Sequence, residues 1–143
     1  MRIKFLAVLA LLVFCVAVSV LAKPPAPPSP YNLSFQLVNN LPHPVTFMVG
    51  MRVFLETASD FYKKDLADEN FAFNVEVPAN GRVTHNKVLD GRWNSYVVQH
   101  LFSVSVWGNG RELGNGQDRA ANCKNFVITA NPTAPVVSIS RSN

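Results

Sequence analysis

From Leu33 onward the chain alternates. Leu33, Phe35 and Leu37 share one parity against Ser34 and Gln36, and Phe47, Val49, Met51 and Val53 share one against Thr46, Gly50 and Arg52. Phe71, Phe73, Val75 and Val77 do the same against Asn74 and Glu76. A period of two puts successive side chains on opposite faces of a strand, so each run predicts a strand with one buried and one wetted face. Tyr96 to Trp107 is longer: Tyr96, Val98, His100, Phe102, Val104 and Val106 fall on one side, Gln99, Ser103 and Ser105 on the other. Weaker strands are expected at Arg82 to Val88, Cys123 to Thr129 and Val136 to Ser140.

The connections carry turn chemistry. Asn80-Gly81, in "PANGR", tolerates positive φ and is expected to close a tight turn between antiparallel strands. The segment 108–117, "GNGRELGNGQ", reads as a longer Gly/Asn-rich connection, and the two prolines of "NNLPHP" bar a central strand there. One helix is expected: Thr57 and Asp60 form a capping-box-like start, and Phe61, Tyr62 and Leu66 could line one side through about Asp68. The fold class is therefore all-β, an antiparallel β-sandwich of immunoglobulin-like Greek-key type with about seven strands and one short helix. Clean alternation argues against a parallel α/β sheet, whose strands are apolar on both faces.

Upstream the pattern changes. Met1-Arg2-Ile3-Lys4 is basic, and Phe5 to Ala22 carries no charge and closes on Val20-Leu21-Ala22, the pattern of a secretory signal cut after Ala22. An uncleaved membrane span is the rival reading. A lipoprotein signal fits less well, because Phe14 stands where a small residue belongs before Cys15. Residues 1–22 are thus a signal peptide, 23–31 a proline-rich spacer that favours extended polyproline II, and 32–143 the sandwich domain. The expected location is secreted or periplasmic, with membrane contact only through an uncleaved signal segment.

Removal of Arg2 and Lys4 with the signal leaves 11 basic against 9 acidic residues, lowering the formal net charge from +4 to +2. With no basic run longer than Lys63-Lys64, clustered phosphate neutralisation is missing and nucleic acid is set aside. Cys123 is the one cysteine of the mature chain, so no intrachain disulfide can form in it. It reads as a buried small apolar side chain, with a disulfide-linked dimer or a reactive thiol as the functional alternatives.

Candidate chemistry is sparse. His43, His85 and His100 have no second histidine or cysteine at metal-ligand spacing, and GxSxG, HExxH and phosphate-binding glycine loops are missing. No catalytic residue, cofactor or metal is expected. His43 and His85 read as solvated, and His100 as a hydrogen-bonded histidine on the apolar side of its strand. The better lead is aromatic: Trp93, bracketed by Arg92 and Asn94, lies outside the alternation, and Trp107 has the parity of the wetted face beside Asn109 and Arg111. These six are the candidate binding residues, the two tryptophans reading either as exposed contacts or as caps on the core. The expected function is a non-catalytic binding module for a protein partner, acting through loops or an edge strand. A carbohydrate- or lipid-surface-binding module using exposed tryptophan is the alternative, and a small hydrolase the third.

Overall fold

The computed structural model describes residues 26–55 and 68–142. Eight strands occupy them: β1 (Tyr31–Asn39), β2 (Val45–Leu55), β3 (Glu69–Val77), β4 (Arg82–Leu89), β5 (Val98–Gly108), β6 (Arg111–Ala121), β7 (Asn125–Ala130) and β8 (Val137–Ser142). A 3-10 turn, Gly91–Ser95, precedes β5. The strands form two four-stranded sheets, ordered β4-β1-β7-β8 and β3-β2-β5-β6. Every ladder is antiparallel except β1 with β7. The expected signal segment lies outside the described residues, as does the expected helix apart from Asp68. Among the described residues no helix is long and apolar enough to cross a membrane.

The alternation does what it predicts. Leu33, Phe35 and Leu37 of β1 are buried against Phe47, Val49, Met51 and Val53 of β2 and Phe102, Val104 and Val106 of β5. Phe35 is the pivot: its ring lies 5.4 Å from that of Phe126 in its own sheet and 5.0 Å from that of Phe73 in the other. Phe126 in turn meets Phe102 edge-on at 4.9 Å. Full burial of one such ring is worth about 2 to 3 kcal/mol, and offset or edge-on contacts between rings add up to about 1 kcal/mol each.

The two long sides of the sandwich are closed differently. On one, β3 and β4 share no backbone ladder, but Phe73 stacks on His85 at 3.9 Å and the Lys87 ammonium sits 5.2 Å from the centre of the Phe71 ring. His85 is thus half-buried in mid-strand rather than solvated near a strand end. On the other side, β6 lies directly against β8. A Cβ at Gly114 would come within 2.9 Å of Val136 Cβ, and one at Gly116 within 3.3 Å of Val137 Cγ1. Beyond the glycines, Arg141 closes the seam with bonds of 2.9 and 3.0 Å to the Asp118 carboxylate.

Two expectations about the connections need correction. Asn80-Gly81 does not close a ladder: only Asn80 has positive φ, 50°, and the turn carries the chain from β3 in one sheet to β4 in the other. The segment 108–117 is not a long loop. Asn109 and Gly110, with φ of 53° and 75°, make the two-residue hairpin turn, and β6 starts at Arg111. The strand count rises to eight because β6 carries glycine rather than hydrocarbon at its inward positions, which hides its period.

A buried amide ties the end of the sandwich near this turn. Asn39 is fully buried; its Nδ2 donates to the carbonyls of His43 (2.8 Å), Pro78 (3.0 Å) and Val77 (3.2 Å), and its Oδ1 accepts from Leu41 N–H at 2.9 Å. One side chain thereby holds the β1–β2 loop and the β3–β4 turn together. Gly114→Ala is expected to destabilise the fold by about 1 to 3 kcal/mol through overpacking against Val136. Gly50→Ala, whose Cβ would meet only Ser103 Oγ at 3.4 Å, should change stability by less than about 0.5 kcal/mol. Urea unfolding of both variants checks the difference.

Candidate functional site

The six residues singled out by sequence do not form one site. Arg92, Trp93 and Asn94 occupy the 3-10 turn before β5, whereas Trp107, Asn109 and Arg111 lie at the opposite end of that strand. Nine residue steps along the strand lead from Val98 to Trp107, about 30 Å.

The first three have structural work. Asp90 caps the turn by accepting from Arg92 N–H at 2.9 Å, and its second oxygen takes the Arg92 guanidinium at 2.8 Å. These bonds hold its carboxyl below the usual carboxylate range. Trp93 is 0% exposed and donates its indole N–H to Glu69 Oε1 at 2.9 Å, so it is a cap on the core and not an exposed platform. Asn94 donates to Ser29 O at 2.7 Å and accepts from Lys124 Nζ at 2.6 Å. Gly91 is needed beside it: a Cβ there would collide with the backbone carbonyls of Ser29 and Pro28. The turn therefore fastens the end of the proline-rich tract, which the sequence had suggested was only a spacer.

Trp107 is different. It is 39% exposed, as its parity predicts, and its indole N–H donates to Ser105 Oγ at 3.0 Å. That bond lays the indole along the outer face of the β3-β2-β5-β6 sheet. Strand register orders this face into levels. Reading across β3, β2, β5 and β6, the first is Glu76, Thr46, Trp107 and Glu112, and the second Asn74, Met48, Ser105 and Asn115. The third is Ala72, Gly50, Ser103 and Gln117, and the fourth Asn70, Arg52, Leu101 and Arg119. The two middle levels carry no charge. Small residues at Gly50, Ala72 and Ser103 leave a depression of about 360 Å³ bordered by Met48, Asn74 and Gln117.

The ends of the face have opposite charge. Glu76 and Glu112 flank Trp107, while the guanidiniums of Arg52 and Arg119 lie 5.1 and 5.5 Å from the centre of the Phe54 ring. Arg52 also bonds Asp68 at 3.0 Å, and Arg119 bonds Gln99 Oε1 at 3.2 Å. The other sheet presents a contrasting outer surface of Ser34, Gln36, Thr84, Asn86, Asn125 and Ser140, with Val88 its one exposed large hydrophobic side chain. Sequence reasoning missed the face as a unit. The signal was the amide at every second position of β6, Asn115 and Gln117, alternating with Gly114 and Gly116.

A second group of polar side chains lies inside the sandwich. His100 is fully buried, with Nδ1 3.3 Å from Ala120 O and Nε2 3.1 Å from the Tyr31 hydroxyl. A carbonyl only accepts, so Nδ1 carries the proton and Nε2 accepts from Tyr31. Burial pushes the His100 pKa down to about 4, against a smaller opposing effect of the Ala120 carbonyl, and pushes Tyr31 up to about 12 with help from nearby Cys123. Cys123 is itself buried and donates to Asn125 O at 3.2 Å, so its thiol faces inward, and a disulfide to a second chain would require this end of the sandwich to open. Lys124 lies over the Tyr31 ring at 4.4 Å. Among the described residues, no group of three or more His, Cys, Asp or Glu is placed to hold a metal ion.

No protein-family model matches the chain, and no curated protein matches it. The face and its chemistry are therefore the ground for any functional reading.

Neutral His100 sets a pH dependence. In the unfolded chain it takes up a proton below about 6.5, whereas in the fold it resists protonation down to about 4. Its contribution is therefore complete above pH 6.5 and is lost as pH falls through that window. The loss amounts to roughly 3 kcal/mol at full depth. Unfolding titrations at pH 7 and pH 4 should show it, and His100→Gln should flatten the dependence.

Proposed function

We propose that this is an exported, non-catalytic β-sandwich that binds another macromolecule, a protein before all others, through the outer face of the β3-β2-β5-β6 sheet. One observation carries the reading: Met48, Leu101 and Trp107 stay exposed on a single sheet face, Met48 at the border of an uncharged depression and the other two at the levels before and after it. Clustered exposure of large apolar side chains on a soluble surface marks interaction sites, and an aromatic anchor beside a pocket is the usual centre of a protein interface. The loops and edge strands favoured by the sequence give way here to a sheet face. Export rests on the basic start and uncharged run of residues 1–22.

The finer assignment, an immunoglobulin-like Greek key, draws support from the strand neighbours. β1 lies between β4 and β7, and β2 between β3 and β5, as crossings between layers produce. No observation among the described residues favours the hydrolase reading. His43 Nδ1 lies 3.2 Å from Pro44 O, His85 is stacked on Phe73, and both His100 nitrogens have partners.

A photo-crosslinking residue at position 103, in the middle of the face, should trap a macromolecular adduct when the protein is exported from its cells. The same residue at position 88, on the opposite sheet, should not. Adducts from position 88 alone would refute the assignment of the face.

Glycan binding is the second reading, favoured by Trp107, whose indole bonds Ser105 in the level that also carries Asn74 and Asn115. Aromatic stacking with polar groups alongside is how a sugar ring is held. Titration with cello- and chito-hexaose should then change the tryptophan fluorescence, and Trp107→Ala should abolish the change. A flat response to both sugars removes this reading and leaves the protein-binding one.

A further inference from the structure

We propose that the partner of this face is a second copy of the same chain, packed face to face about a two-fold axis that runs across the strands between the Met48 and Gly50 levels. The proposal rests on the reading of this face as the binding surface and names its occupant.

An isologous interface requires a patch to complement itself after rotation, so that when i meets j, j also meets i. Rotation about this axis reverses the strand direction, keeps β2 over β2 and β5 over β5, and lays the first level on the fourth and the second on the third. Met48, 41% exposed, then stands over the partner's Gly50, at the depression. Trp107 covers the partner's Leu101, 43% exposed, so the two large apolar groups of β5 shield each other from water. Glu112 comes over the partner's Arg119, and Asn115 over the partner's Gln117. Each contact occurs twice by symmetry.

The charge pattern belongs to the same argument. With Arg52 already paired to Asp68, the contrast is between Glu76 and Glu112 at one end and Arg119 at the other; like ends repel in a copy laid parallel and unlike ends attract in one laid antiparallel, which favours that orientation. The middle levels bury Met48 among amides, hydroxyls and small side chains, and the charges stay at the rim, where desolvation costs least. Two sheets packed face to face lie about 10 Å apart at a crossing near 30°. That spacing brings a methionine side chain down to the floor of a glycine-lined depression.

The footprint bounds the affinity. Four strands at about 4.8 Å and four levels at about 6.8 Å cover about 500 Å² of each copy. The sum, about 1,000 Å², is at the lower limit for a specific interface. A reversible dimer follows, populated at micromolar to millimolar concentration.

Sedimentation velocity of the exported protein across that range tests the proposal. The expected result is a weight-average mass that rises from monomer toward dimer with concentration. Met48→Lys should raise the dissociation constant at least about a hundredfold, since a buried ammonium replaces an apolar contact at two symmetric places. Val88→Lys, at a position 62% exposed on the other sheet, should leave it unchanged and controls for the added charge. Glu112→Arg should weaken the dimer about tenfold, and the double exchange Glu112→Arg with Arg119→Glu should restore it, an outcome that general surface stickiness would not produce. Circular dichroism confirms that each variant is folded.

A protein that stays monomeric at millimolar concentration overturns the dimer. So does a dimer indifferent to Met48→Lys, or a double exchange that fails to recover what Glu112→Arg lost. A monomer that still yields crosslinked adducts of another macromolecule from position 103 would remove the second copy as partner and leave the binding face standing.

Discussion

The contact of Phe35 with Phe73 and Phe126 is the constraint on which the remaining architecture depends. It joins the central strand of one sheet to an outer strand of the other and, through Phe126, to Phe102 on β5. With the layers held there, alternate residues of every strand are committed inward, and the outward ones are released from packing. Register then does the rest. Because the ladders of β3, β2, β5 and β6 are fixed from below, the outward side chains stand at set distances in level rows, and a surface of fixed chemistry results without any loop being ordered for it.

Much of this was legible along the chain, and the reason is the same wherever it succeeded. β1, β2, β3 and β5 each have one face fully or mostly dry, so their sequences keep the period of two. Trp107 falls on the wetted parity and is found exposed. His100 falls on the dry one and is found buried with both nitrogens bonded. β6 was illegible because the close approach of β8 leaves no room for side chains at Gly114 and Gly116. Where contact between layers is made by backbone, the inward residues are glycine and hydrophobic periodicity vanishes. Trp93 could not be placed at all, since it sits in a 3-10 turn where no parity applies. Asn39 was likewise invisible: its four bonds join segments 38 and 39 residues apart to a local loop, and nothing in a lone asparagine announces that.

The two seams illustrate how a sandwich without a closed ladder can still exclude water. Rings and a cation cover the β3/β4 side, where no backbone ladder forms. Glycines bring β6 and β8 together on the other, and the Asp118–Arg141 pair takes over where the side chains lengthen again. These unlike solutions tilt the molecule toward asymmetry. Each sheet contributes an edge strand to both seams, and the one that carries the candidate face contributes β3 and β6, so perturbing either edge would be felt across it.

The bond from Asn94 to Ser29 O, with Gly91 close beside it, ties the described part of the proline-rich tract to the sandwich two residues ahead of β1, about 6 Å of extended chain. Because the clamp is at the opposite end of β5 from Trp107, the anchored tract is joined to the end of the sandwich that carries Arg52 and Arg119, away from the aromatic end of the face.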